Sequence, residues 1–302
     1  MKFMKDAYQA NIKYIFTFLV LSAFMFVIYT KHLLDVPKIG LAVVLLIAVF
    51  LLFLPKKNIA IFFALVFSGV LTSLITPVLN TPDEPVHLAR TIHIVEGDLN
   101  LDNSKPLISE DFFDIYDQIK SPLTKTNLFN EGQTDKKVDF GRTTDYRATN
   151  SYWFIGYIPQ AIGFGIGKFL HLSVGISYYL GRIFNALAYA VLAYIAIRLS
   201  GKAKQLIMMV AFIPMNLVLA GSYNQDSVSL GLAYIIVSLF ISWVSDSEKK
   251  VRNRDLILYV IICCLLATMK LPYVLLIGLL LFIPKSKFNG RFFYGKVISA
   301  VL

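Results

Sequence analysis

The sequence predicts an all-α polytopic membrane protein: a bundle of about eight transmembrane helices plus one large extracytoplasmic loop with amphipathic helices of its own. Three observations lead there. The chain is 57% hydrophobic with a mean hydropathy of +0.65, too apolar for a soluble domain. Several apolar runs are long enough to span a bilayer. Basic residues collect in short loops between those runs, which is the pattern of cytoplasmic loops and not of a nucleic-acid patch.

Residues 1–79 read as three N-terminal spans. Residues 12–30 follow Lys2, Lys5 and Lys13, and Lys31-His32 comes next in place of a small-residue cleavage site, so this run is a span with its N-terminus inside. Residues 39–54 form a short second span, Lys56-Lys57 lie inside, and 59–79 cross outward. Residues 80–150 then lie outside. They hold 13 of the 19 acids and 8 of the 29 lysines and arginines, a net of −5, while the rest of the chain is +15. A segment this long is expected to carry helices, with Asp111–Lys120 and the region around Tyr146 as candidates.

Residues 151–170 are apolar but interrupted by Pro159 and several glycines. If they crossed, every later basic loop would land outside. Three loops decide against that: Arg198/Lys202/Lys204, Lys249/Lys250/Arg252/Arg254 and Lys285/Lys287/Arg291. The segment is therefore expected to lie in the outer interface, which sets domains of 1–79, 80–175 and 176–302. The spans in the last are 176–198, 205–221, 227–244, 255–269 and 271–284. Lys296–Leu302 begins another apolar run, so further spans are expected beyond it. The adjacent Cys263 and Cys264 read as small core residues.

The densest chemistry is Thr81-Pro-Asp-Glu-Pro-Val-His-Leu-Ala-Arg90. On a helix Asp83, His87 and Arg90 share one face, with Leu88, Ile92 and Val95 opposite. A plain account exists: Thr81-x-x-Glu84 is a capping box, with Pro82 at the first helical position and Gly97 as the stop. The topology adds more groups at the same depth: Arg182, the turn Tyr223-Asn224-Gln225-Asp226, and Lys270. Each has its own plain account. Arg182 reads as a snorkelling side chain, Asp226 as an N-cap, Lys270 as an interfacial anchor and His87 as a satisfied face histidine. Ionisable groups at membrane depth are costly, so their gathering marks a site. Cations would hold a phosphate leaving group, and a carboxylate would take a hydroxyl proton. Asp83, Glu84, His87 and Asp226 have the donor types for Mg²⁺ or Mn²⁺.

Five short motifs carry a resemblance: Pro82-Asp-Glu-Pro85-x-His87, Tyr157-x-Pro159, Tyr179-x-Gly181-Arg182-x-x-Asn185, Pro214 with Ser222-Tyr-Asn-Gln-Asp226, and Lys270-x-x-Tyr273. Together they resemble the bacterial membrane family known as domain of unknown function 2142, over about Pro77 to Pro284. That family is similar to GT-C glycosyltransferases, which use polyprenyl-phosphate- or diphosphate-linked sugars. The resemblance implies a GT-C-like bundle in the bacterial plasma membrane, facing outward. The acidic pair in the first large outer loop matches Asp83-Glu84, and a second acid in the next outer turn matches Asp226. The expected roles are Asp83 as general base with Glu84 second, Arg182, Lys270, Tyr223 and Asn224 for substrate, and Asp83, His87 and Asp226 for a metal. The expected acceptor is a cell-surface glycan, teichoic-type polymer or lipid. The rivals are a transporter or flippase for lipid-linked glycans, and a non-catalytic assembly protein. Transporters usually carry internal repeats and broken mid-membrane helices; no convincing repeat is visible, and the ionisable groups sit at an edge.

Overall fold

The computed structural model describes residues 2–30, 41, 44–45, 48, 57–99, 107–109, 143–145 and 152–288. Helix α1 covers Lys2–Thr30 and α2 covers Lys57–Ile75. The expected span over 39–54 falls almost wholly outside the described residues, as do Asp111–Lys120 and Lys296–Leu302. Helix α3, Glu84–Val95, follows a turn. Strands Leu107–Ser109 and Thr143–Asp145 pair antiparallel, Ile108 facing Thr144. The all-α class holds, with one small addition: the acidic segment carries this short ladder, and its second strand ends one residue before Tyr146. Three-residue strands leave too little alternation to be read from sequence.

A short 3-10 turn, Phe154–Tyr157, leads into α4, Ile158–Phe169. Twelve residues at about 1.5 Å each reach roughly 18 Å, short of a bilayer core of about 30 Å. Helix α4 lies against the first half of α5, Val174–Leu199, and Gly163 permits the approach. A Cβ there would stand 2.3 Å from the Leu180 carbonyl oxygen.

The expected span 205–221 is broken. Helices α6, Lys204–Ala211, and α7, Pro214–Ala220, belong to an apolar pair bent by 72°. Pro214 has no N–H for the preceding turn. Tyr189 Oη donates to the freed Ala211 carbonyl and Asn216 Nδ2 to that of Val210, at 2.8 and 2.9 Å. Helix α8, Asp226–Ser245, and α9, Asn253–Met269, follow, then a 3-10 helix over Leu271–Phe282. Among the described residues, Gly175–Leu199 and Asp226–Ser245 are long and apolar enough to cross a membrane, with the bent pair as a third candidate.

The helices run between two unlike ends. At one end the basic loops meet. Lys287 Nζ donates to the Asp246 carbonyl, Lys250 Nζ to that of Ser286, and Lys249 Nζ to Ser242 Oγ, while Gly201 also approaches Ser242. At the other end lie the start of α3, the 152–160 segment, the 222–226 turn and Lys270. The core between them is apolar, with Leu65, Ala193, Ile236 and Leu266 fully buried.

Candidate functional site

The polar end is organised by one buried ion pair. Arg182, on the third turn of α5, and Glu84, first residue of α3, are both completely buried. Arg182 Nε donates to Glu84 Oε1 and Nη2 to Oε2, both at 2.8 Å. Its remaining N–H groups go to the carbonyls of Ser73, Thr76 and Pro77 at 3.1, 2.6 and 2.9 Å. A guanidinium has five such donors, and all are used. Their targets lie where α2 ends, so the cation also answers that helix's orphan carbonyls and negative dipole end. Glu84 receives further bonds from Tyr178 Oη at 2.8 Å, the Tyr223 N–H at 3.0 Å and the Thr81 N–H at 3.3 Å. The pair thus ties α2, α3, α5 and the 222–226 turn together.

This overturns several plain readings. Arg182 does not snorkel, because burying it inside a complete bonding set is what makes its burial tolerable. The capping box is half formed. Glu84 accepts from Thr81 N–H, but Thr81 Oγ1 is buried without a hydrogen-bond partner. Pro82 precedes the helix, and Pro85 stands in its first turn. Asp83 separates the two with a left-handed backbone, φ 58°, which Asp tolerates better than most residues. The expected stop holds: Gly97 has φ 101°, and the Asp98 N–H reaches back to the His93 carbonyl.

A second ion pair lies nearby and is open. Lys270 Nζ is 2.5 Å from Asp226 Oδ1, with side chains 35% and 24% exposed. Asp226 is not the N-cap of α8. Asn224 does that work, its Oδ1 accepting from the Ser227 N–H at 3.0 Å and from Ser227 Oγ at 2.9 Å. Burial opposes the Lys270 charge, but the bond to Asp226 and its negative charge prevail and hold the ammonium above the ordinary lysine range.

His87 lies within electrostatic reach of this pair and of Asp83. Its Nδ1 is 2.8 Å from Tyr157 Oη, which donates to Gln225 Oε1 at 3.4 Å. The phenol thus bridges the His87 ring to the Gln225 carboxamide. Burial lowers the His87 pKa, while the negative charge of Asp226, then of Asp83, pulls the other way. Burial also raises that of Tyr157, so the phenol stays protonated.

The structure therefore brings Asp83, His87, Asp226 and Lys270 to one neighbourhood, with Asp83 exposed. It places the other expected residues differently. Tyr223 is fully buried, its Oη donating to the Tyr178 carbonyl. Asn224 is buried too, its backbone closed in both directions by Gln160. Among the described residues no three His, Cys, Asp or Glu side chains are placed to hold one ion. Lys270 occupies Asp226, and Tyr157 occupies His87 Nδ1. Sequence reasoning gave no role to Tyr157, Gln225, Gln160 or Asn185. For Asn185 the signal was a carboxamide inside an apolar span; its Nδ2 donates to the Ser222 carbonyl at 2.7 Å.

Residues 65–302 match the model of a family described as predicted membrane protein, DUF2142. The chain belongs to this family. The match takes in α3, α5, the 222–226 turn and Lys270, so both ion pairs lie inside the family region. No curated protein and no solved structure matches the chain. Membership with the apolar helices makes this a membrane protein.

Proposed function

We propose that this membrane protein is an inverting glycosyltransferase with a GT-C-like bundle of about eight spans. It moves a sugar from a polyprenyl-phosphate- or diphosphate-linked donor to a surface glycan or lipid acceptor. The polar end faces out of a bacterial cell and the N-terminus faces the cytoplasm. The gathering of the three basic loops at the opposite end supports this orientation.

The observation that carries the proposal is the gathering of exposed Asp83, buried His87 and the partly exposed Asp226–Lys270 pair at the same end as a sealed ion pair. Lys270 holds the donor phosphate. Asp83, exposed and without a side-chain cap bond, takes the proton as the acceptor oxygen attacks the anomeric carbon. The bond from that carbon to the phosphate oxygen breaks, and the phosphate leaves with the electron pair. His87 Nε2 and Asp226 orient the acceptor. Glu84 and Arg182 hold the wall of the site and touch no substrate.

The test is surface-glycan composition in cells carrying wild type, Asp83→Asn or Asp226→Asn, with membrane abundance measured alongside. Transfer chemistry requires loss of one sugar substituent at normal protein level. An unchanged glycan at normal protein level contradicts the catalytic role of that acid.

A further inference from the structure

The open pair differs from the sealed one in being exchangeable. Both members of Asp226–Lys270 reach solvent, at 24% and 35% exposure. An ammonium carries three donors in no fixed plane, and among the described residues Asp226 is its one ion-pair partner. The Asp226 carboxylate makes no capping bond in turn, because Asn224 caps α8 in its place. Asp226 is the first residue of a 20-residue helix, so an anion replacing its carboxylate also meets a positive dipole end.

We propose that Asp226 is the resting counter-ion of Lys270, displaced when the single phosphate of a polyprenyl-linked substrate arrives. The inference rests on the transferase reading and narrows its donor to a monophosphate. One ammonium neutralised by one carboxylate matches the exchange of one phosphate group, whereas a diphosphate brings a second group to the same lysine. Asp226 thereby competes with the substrate for Lys270 and also keeps the lysine charged and in place while the site is empty. Removing the carboxylate strengthens phosphate binding, and removing the ammonium abolishes it.

The experiment uses the full chain purified in detergent, with farnesyl monophosphate, farnesyl diphosphate and inorganic phosphate as probes. Asp226→Asn is expected to bind farnesyl monophosphate about fivefold more tightly than wild type, the factor to which roughly 1 kcal/mol converts. Lys270→Met is expected to lose that binding. Asp226→Ser repeats the test should the asparagine protein fail to fold. Equal or weaker binding by the Asp226 variants overturns the proposal, as does unchanged binding by Lys270→Met. Inorganic phosphate binding as tightly as the farnesyl ester overturns the lipid source, and preference for farnesyl diphosphate overturns the single phosphate. The outcome is separable from the transferase reading. Tighter binding by Asp226→Asn in a protein whose cells keep an unchanged glycan leaves the exchange standing and removes Asp226 from the transfer chemistry, whereas an unchanged glycan in Asp83→Asn cells removes the proposed base.

Discussion

Two acid–base pairs stand at the same end of this bundle, and they are built for different work. Glu84–Arg182 is sealed, with every guanidinium donor used and both side chains out of solvent. Asp226–Lys270 is half open, makes one contact and reaches solvent from both sides. Charge type is identical in the two pairs, so charge alone does not say which one does chemistry. Bond completeness does. A group whose hydrogen bonds are all satisfied internally has nothing to offer a substrate.

The contrast breaks first, and with the largest effect, at the sealed pair. Glu84→Gln or Arg182→Met leaves one buried charge uncompensated, at a cost of about 3–5 kcal/mol. Either protein should fall steeply in membrane abundance and in melting temperature in detergent. The double variant should recover part of the loss, because no lone charge remains buried. Recovery failing altogether would show that the surrounding bonds depend on the pair's own geometry.

Gly181 sharpens the same point from the packing side. A Cβ there would stand 1.9 Å from Tyr223 Oη, and Tyr223 lends its N–H to Glu84. Gly181→Ala should cost about 1–3 kcal/mol through overpacking, read as a lower melting temperature. An unchanged melting temperature would mean that the Tyr223 wall yields freely.

The open pair should behave otherwise. Asp226→Asn should change stability by only about 0–1 kcal/mol, as partly exposed pairs do, while the surface product is lost.

The smallest effect is a pH dependence centred on His87. An unfolded histidine takes up its proton near pH 6.5, whereas the buried ring resists charging and does so only at lower pH. Folding stability should therefore fall as pH drops below about 6.5. Asp226, Asp83 and Glu84 moderate the effect, and Lys270 strengthens it. His93, also buried with a lowered pKa, contributes in the same direction. A melting temperature measured from pH 7.5 to 5 should drop less in His87→Gln than in wild type. Parallel curves would place the titration elsewhere.

The spans 176–198 and 227–244, and the helix over 255–269, were legible because apolar run length and flanking charge mark a helix directly. The break at Pro214 and the 3-10 course of Leu271–Phe282 were not, since hydropathy records composition and not bond pattern. The residues gathered at the polar end were legible; their division of labour was not. Asp83 and Glu84 are neighbours of the same chemistry, yet one is exposed and the other sealed. That difference is set by Arg182, 98 residues away from Glu84, and by the backbone φ at Asp83. Asn224 and Asp226 both suit an N-cap, and only the three-dimensional turn shows that Asn224 takes it.

The central claim is that the sealed pair holds the fold and the open pair does the chemistry. The most direct measurement is surface product per molecule of membrane-inserted protein, in cells carrying Glu84→Gln and in cells carrying Asp226→Asn. The account predicts that Glu84→Gln lowers the amount of protein while each remaining molecule keeps its output, and that Asp226→Asn keeps its amount and loses its output. The reverse assignment, or a fall in amount alone for both variants, would contradict it.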